Sequence, residues 1–130
     1  MKLLYILFLT VIIIISFSSC ENFSYLFQLQ KKILTEYNEK VNIRLTNNMH
    51  LDISLVNSEL NDLGIIDRKE ASDELTIFAI HNYGDIDNIV TISINYIIYK
   101  NYIIYRYTIL VDNYEYKKEN NEWISIGSND

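Results

Sequence analysis

From Ile89 to Val111 the chain reads IVTISINYIIYKNYIIYRYTILV, with apolar side chains recurring at every second position on both sides of Lys100-Asn101. Side chains of a strand point alternately to its two faces, so a period of two predicts half-buried strands rather than a helix. A two-residue turn at Lys100-Asn101 pairs Tyr99 with Tyr102 and sets the remaining register. Val90, Ile92, Ile94 and Tyr96 then share a face with Val111, Ile109, Tyr107 and Tyr105. Thr91, Ser93 and Asn95 share the other with Leu110, Thr108 and Arg106. A slip of one residue would turn the apolar set toward water. A chain organised around this hairpin is committed to a sheet with one covered face.

The flanking segments supply the rest of that sheet and its cover. Val41, Ile43 and Leu45 alternate with polar residues, as do Leu51, Ile53 and Leu55. A three-residue loop at Asn47-Asn48-Met49 puts both apolar sets on one face. Tyr114 to Lys118 and Trp123 to Ile126, joined at Glu119-Asn120-Asn121, predict a third, shorter hairpin. Glu21 to about Lys40 predicts a helix whose stripe is Phe23, Leu26, Phe27, Gln30, Ile33, Leu34 and Tyr37. A second helix is expected from Arg68 to about Tyr83, with Asp67 as N-cap, Glu70 completing a capping box, and Gly84 as its stop. Its buried stripe would be Ala71, Leu75, Phe78, Ala79 and Tyr83. The order α-β-β-α-β-β with a short final strand predicts an α+β fold: two layers, an antiparallel sheet of four to five strands, and both helices on one face.

The start of the chain is of another kind. Residues 1–20 read MKLLYILFLTVIIIISFSSC: one lysine, an apolar run from Leu3 to Phe17 broken only by Thr10 and Ser16, two small residues, then Cys20. Charge, apolar stretch and small-residue boundary are the ordered parts of a secretory signal peptide. The run is shorter than the roughly 20 residues that span a bilayer. With a cysteine at the boundary the segment resembles the lipobox of bacterial lipoproteins, matching its small positions at Ser18 and Ser19, while Phe17 stands where that family prefers leucine. The resemblance implies a lipid on the Cys20 thiol, cleavage before it, and a mature protein held on a membrane. Residues 1–19 would be the signal peptide, 20–22 the lipidated N-terminus and 23–130 a single domain. Cys20 is the chain's single cysteine, so lipidation would also account for an otherwise unpaired exported thiol.

Without residues 1–19 the chain keeps ten basic and seventeen acidic side chains, a net charge of −7. That argues against nucleic acid, which calls for a basic surface. His50 and His81 stand alone, with no His or Cys at ligand spacing, and are expected on the surface. Asp67, Glu70, Asp73 and Glu74 crowd the second helix. Asp85-Ile86-Asp87-Asn88 has the opening of a calcium loop but neither its glycine nor its terminal glutamate. No metal, cofactor or catalytic residue is expected. The body, through the run HLDISLVNSELNDL from His50 to Leu63, resembles small Gram-negative lipoproteins of unknown function, which carry no assigned functional residues.

One surface feature remains. The predicted register puts Ile97, Tyr99, Tyr102 and Ile104 on the face opposite the core, beside Arg106, as a candidate interaction patch. Tyr and Arg are enriched at interface hot spots, and exposed apolar patches mark contacts. The expected function is a non-enzymatic, lipid-anchored protein of the bacterial envelope acting through a protein or ligand contact. The alternatives are an inhibitor or immunity-type protein using an exposed strand edge, and a hydrolase with a carboxylate pair.

Overall fold

The structure, a computed structural model, describes residues 22–128. The signal-peptide segment and Cys20 lie outside the described residues. Helix α1 covers residues 22–37. It is followed by β1 (Val41–Thr46), β2 (His50–Val56), a 3-10 turn (Glu59–Asp62), α2 (Ile65–Asn82), a second 3-10 turn (Ile86–Asn88), β3 (Thr91–Asn101), β4 (Arg106–Glu119) and β5 (Glu122–Ser128). The strands form one sheet in the order β1-β2-β3-β4-β5. The fold is α+β, as the pattern predicts. The sheet is antiparallel except between β2 and β3, which α2 joins in parallel.

The first hairpin has the expected three-residue loop. Thr46 pairs with His50, and Leu45, Ile43 and Val41 pair with Leu51, Ile53 and Leu55. Asn47 and Asn48 take φ of 52° and 57°, a left-handed backbone that asparagine tolerates better than most residues. The β4–β5 turn is two residues rather than three. Glu119 pairs with Glu122 across Asn120 and Asn121, both at positive φ, as a type I′ turn requires.

The central hairpin departs from its predicted register. Asn101 pairs with Arg106, so residues 102–105 form a four-residue loop, and Tyr99 faces Thr108. A bulge lies between Tyr96 and Ile97, where Tyr96 pairs with Asp112 but Ile97 with Leu110. The unpaired Val111 shifts the phase of β4. Tyr114 and Tyr116, rather than Tyr107 and Ile109, therefore oppose Ile94 and Ile92. What the sequence suggested were two separate strands is one strand of fourteen residues.

Both helices cover the face carrying Leu51, Ile53, Leu55, Ile92, Ile94, Tyr96, Tyr114 and Tyr116, all buried. The buried residues of α1 are Leu29 and Ile33, with Tyr25 and Leu26 packed beside them. Phe23, Phe27, Leu34 and Tyr37 of the predicted stripe are exposed. Apolar residues surround most of this helix, so periodicity alone leaves its buried face ambiguous. In α2 the N-cap is Gly64, with no side-chain cap, and Asp67 sits in the first turn. There its charge favours the helix dipole without capping. Leu75, Ala79 and Tyr83 are buried as expected, together with Ser72 and Thr76. Gly84 has a steric role: a side chain there would run into the Tyr25 ring.

The buried face of α1 gives a direct test. Ile33→Ala, at a fully buried site, should lower stability in urea denaturation by about 3 kcal/mol. Leu34→Ala, one residue on but exposed, should cost less than about 0.5 kcal/mol.

Candidate functional site

The β3–β4 ribbon outruns the rest of the sheet. β2 ends at Val56, which pairs with Ile97, and β5 pairs with β4 only from Tyr114 onward. From Ile97 to Leu110 the ribbon is therefore a two-stranded arm, its strands projecting about 15 Å at the usual rise per residue. Its base is held by side-chain amides that imitate a strand. Asn57 accepts from the Tyr99 N–H at 2.8 Å and donates to the Tyr99 carbonyl at 3.0 Å. Asn61 donates to the Ile97 carbonyl at 2.9 Å. Asn57 has φ of 53°, and its backbone N–H donates to the same Ile97 carbonyl at 2.9 Å. No strand pairs with the outer edge of Arg106–Asn113 among the described residues.

The tip gathers aromatic rings. Tyr102 stacks on Tyr105 at 4.9 Å between centroids and on Tyr107 at 5.9 Å. The loop closes through a Tyr102 N–H to Tyr105 carbonyl bond of 2.8 Å, and Arg106 Nε donates to Asn101 Oδ1 at 3.2 Å. At the apex Ile103 and Ile104 have relative exposures of 106% and 92%. Two fully exposed isoleucines in sequence are unusual on a folded domain.

The predicted patch of Ile97, Tyr99, Tyr102, Ile104 and Arg106 does fall on this arm, though not on one face. Ile97, Tyr99 and Arg106 lie on the uncovered face by strand alternation, Ile97 half-buried at the base beside Leu110. Tyr102 instead joins Tyr105 and Tyr107, and Ile104 sits at the apex. Tyr105 and Tyr107 were assigned to the core by the predicted register. The doubled YIIY sequence around Lys100-Asn101 was the signal that a long apolar tip was present.

Beneath the arm lies a polar joint. Arg68 Nε is 3.1 Å from Asp112 Oδ2, with side chains 12% and 13% exposed. Arg68 also donates to the carbonyls of Leu63 and Asn61. Its own carbonyl accepts from Tyr96 Oη at 2.9 Å and Ser72 Oγ at 2.7 Å. Tyr114 Oη lies 2.8 Å from Asp112 Oδ2 and 3.1 Å from the Ile65 carbonyl. Burial, and then the hydrogen bond to Asp112, push the Tyr114 hydroxyl up to about 12. Burial, and then Asp73, also raise Tyr116, whose hydroxyl donates to Asp73 at 2.7 Å. These groups satisfy one another across α2, β3 and β4.

The uncovered sheet face carries a groove of about 660 Å³ between Asn42, Arg44, Asp52, Ser54, Asn95, Ile97 and Leu110. Its one carboxylate, Asp52, faces Arg44 at 3.5 Å and accepts from Thr46 at 3.3 Å. His50 is half-buried in β2; His81 is exposed on α2, with Nδ1 2.8 Å from the Ile77 carbonyl. Asp85 accepts from the Asn88 amide at 2.8 Å. Among the described residues no three His, Cys, Asp or Glu side chains form a metal-binding group, and no helix is long and apolar enough to cross a membrane.

No family model matches the chain, and no curated protein and no solved structure matches it either.

Two measurements test the joint. Asp112→Ala leaves Arg68 buried and unpaired, and should cost about 3 kcal/mol or more in urea denaturation. The raised Tyr114 value means that folding favours the neutral phenol. Its contribution is therefore complete below pH 10.0 and is lost as pH rises toward about 12. Tyr114→Phe should flatten the fall of stability over that interval in urea titrations.

Proposed function

We propose that the protein is a lipoprotein of the bacterial envelope, held on a membrane by lipid at Cys20 and acting without catalysis through contact made by the β3–β4 arm. The observation that carries the contact reading is the arm tip, where Ile103 and Ile104 are bare and three tyrosine rings stack beside them. Exposing this much apolar surface disfavours the free protein in water, so a surface that covers it gains the corresponding burial. The anchoring reading rests on the ordered charge, apolar run, small residues and single cysteine of residues 1–20. Two or more acyl chains attach a protein stably where one is marginal.

The free edge of Arg106–Asn113 favours an inhibitor as the second reading, since an edge strand can pair with another chain. An acidic plug for a basic partner would need carboxylates on that edge. Residues 106–111 have none, and Asp112 is engaged by Arg68.

Growth with a clickable fatty acid should label the wild-type chain and leave Cys20→Ser unlabelled; label retained on the serine variant would end the anchoring reading. In the arm, Ile103→Ser with Ile104→Ser should leave stability within about 0.5 kcal/mol, because both side chains are fully exposed and neither joins the core. The same pair should abolish arm-specific photo-crosslinks formed from Tyr99 in envelopes. Crosslinks of unchanged strength would remove the arm as the contact surface.

A further inference from the structure

We propose that the surface met by the arm is a lipid bilayer, opposed to the one that holds Cys20, into which the tip inserts Ile103 and Ile104. This deepens the reading of the arm as the contact element, and its claim of a second bilayer rests on the anchoring at Cys20.

The first argument is the order of side chains along the arm. The apex is aliphatic, Ile103 and Ile104. Tyr102 and Tyr105 flank it and stack on each other, with Tyr107 stacked beside them. Lys100 and Arg106 follow on the two strands, both exposed. A bilayer interface sorts groups by depth in this sequence. Aliphatic side chains reach the acyl region, tyrosines lie at the headgroups, and lysine and arginine extend to the phosphates. A protein pocket recognises side chains individually and imposes no such gradient.

Charge is the second argument. The chain has 17 acidic against 11 basic side chains, yet none of the acidic ones falls between Asp87 and Asp112. Lys100 and Arg106 are the only charges in that stretch, so the arm is locally cationic on an acidic molecule. Basic residues near an anionic leaflet contribute about 1 kcal/mol each.

Direction is the third. Tyr25, near the start of α1, packs edge-on against Tyr83 at the C-terminal end of α2. From there the chain passes through the short Ile86–Asn88 turn into β3. The arm is at the other end of β3, eleven residues away, or about 35 Å of extended chain. Cys20 is two residues before the first described residue of α1. A chain held there points its arm away from its own leaflet.

The experiment uses full-length protein, shown to be acylated, reconstituted in phosphatidylcholine vesicles and mixed with protein-free, dye-loaded vesicles containing phosphatidylglycerol. The wild type should capture the dye-loaded vesicles. Ile103→Asp with Ile104→Asp should reduce capture roughly tenfold or more, and Lys100→Glu with Arg106→Glu should also weaken it. An unchanged melting temperature checks the fold of each variant. With Cys20 blocked by lipid, Ile103→Cys supplies a single thiol for an environment-sensitive dye. Its emission should shift to the blue only when the second vesicles are added. The proposal is overturned if the wild type captures nothing, if the double aspartate variant captures equally well, or if the dye is already shifted before the second vesicles arrive. A chain with no acyl group on Cys20 is a separate result: it removes the anchoring and the second bilayer together. The same dye on Ile103→Cys in the Cys20→Ser protein then reads whether the tip enters lipid at all, and an unshifted dye overturns that as well.

Discussion

The ion pair between Arg68 and Asp112 is the joint on which the architecture turns. Taking both charges out of water is costly, and a lone pair would barely recover that cost. Here the surrounding groups complete it. Arg68 also serves the carbonyls of Leu63 and Asn61, and Tyr114 Oη lies beside the same Asp112 oxygen. The Arg68 backbone carbonyl takes the hydroxyls of Tyr96 and Ser72. One residue in the first turns of α2 is thereby tied to the 3-10 turn, β3 and β4. The joint also sits at the β-bulge, where Val111 is the extra residue. Bulges increase twist and re-aim the strand. Below this point the ribbon is covered by helix and packed into the core; above it, among the described residues, the ribbon is braced only at its base, by Val56, Asn57 and Asn61.

A two-stranded ribbon by itself is marginally stable in water. This one is continuous with a five-stranded sheet, which fixes its register from below. Asn57 and Asn61 complete the β3 backbone at the base with side-chain amides, so that edge is closed to another strand near Tyr99. Stacking of Tyr102, Tyr105 and Tyr107 stiffens the tip without removing its isoleucines from solvent. The arm is thus held by its base and its own rings, not by burial, and its apolar surface stays available.

Legibility in the sequence followed how local each determinant is. The β1–β2 hairpin was readable because two clean alternations fix a common face and only an odd loop satisfies both. The central hairpin was readable as a hairpin but not in register. Around Lys100 both parities are apolar, so the period of two loses its information where the turn must be placed. The phase change between Val111 and Tyr114 was a true signal, read as the end of a strand although a bulge explains it equally. Asp67 and Glu70 imitated a capping box, while Gly64 three residues earlier starts the helix. The partner of Arg68 lies 44 residues away, and no local pattern announces it. The candidate patch located the arm but divided its tyrosines wrongly, because their faces depend on that misplaced turn.

The distribution of charge then narrows what the surface can do. The groove on the uncovered face holds one carboxylate, already engaged by Arg44 and Thr46. The acidic cluster of α2 is partly committed: Asp73 pairs with Lys69 and accepts from Tyr116. By contrast, among the described residues Lys100 and the bare isoleucines of the arm have no partner, and Arg106 has only the Asn101 amide. Folding leaves those groups with their full capacity for desolvation and charge pairing. The arm is the part that folding leaves least covered, and on the reading proposed above it is the part from which a contact would gain most.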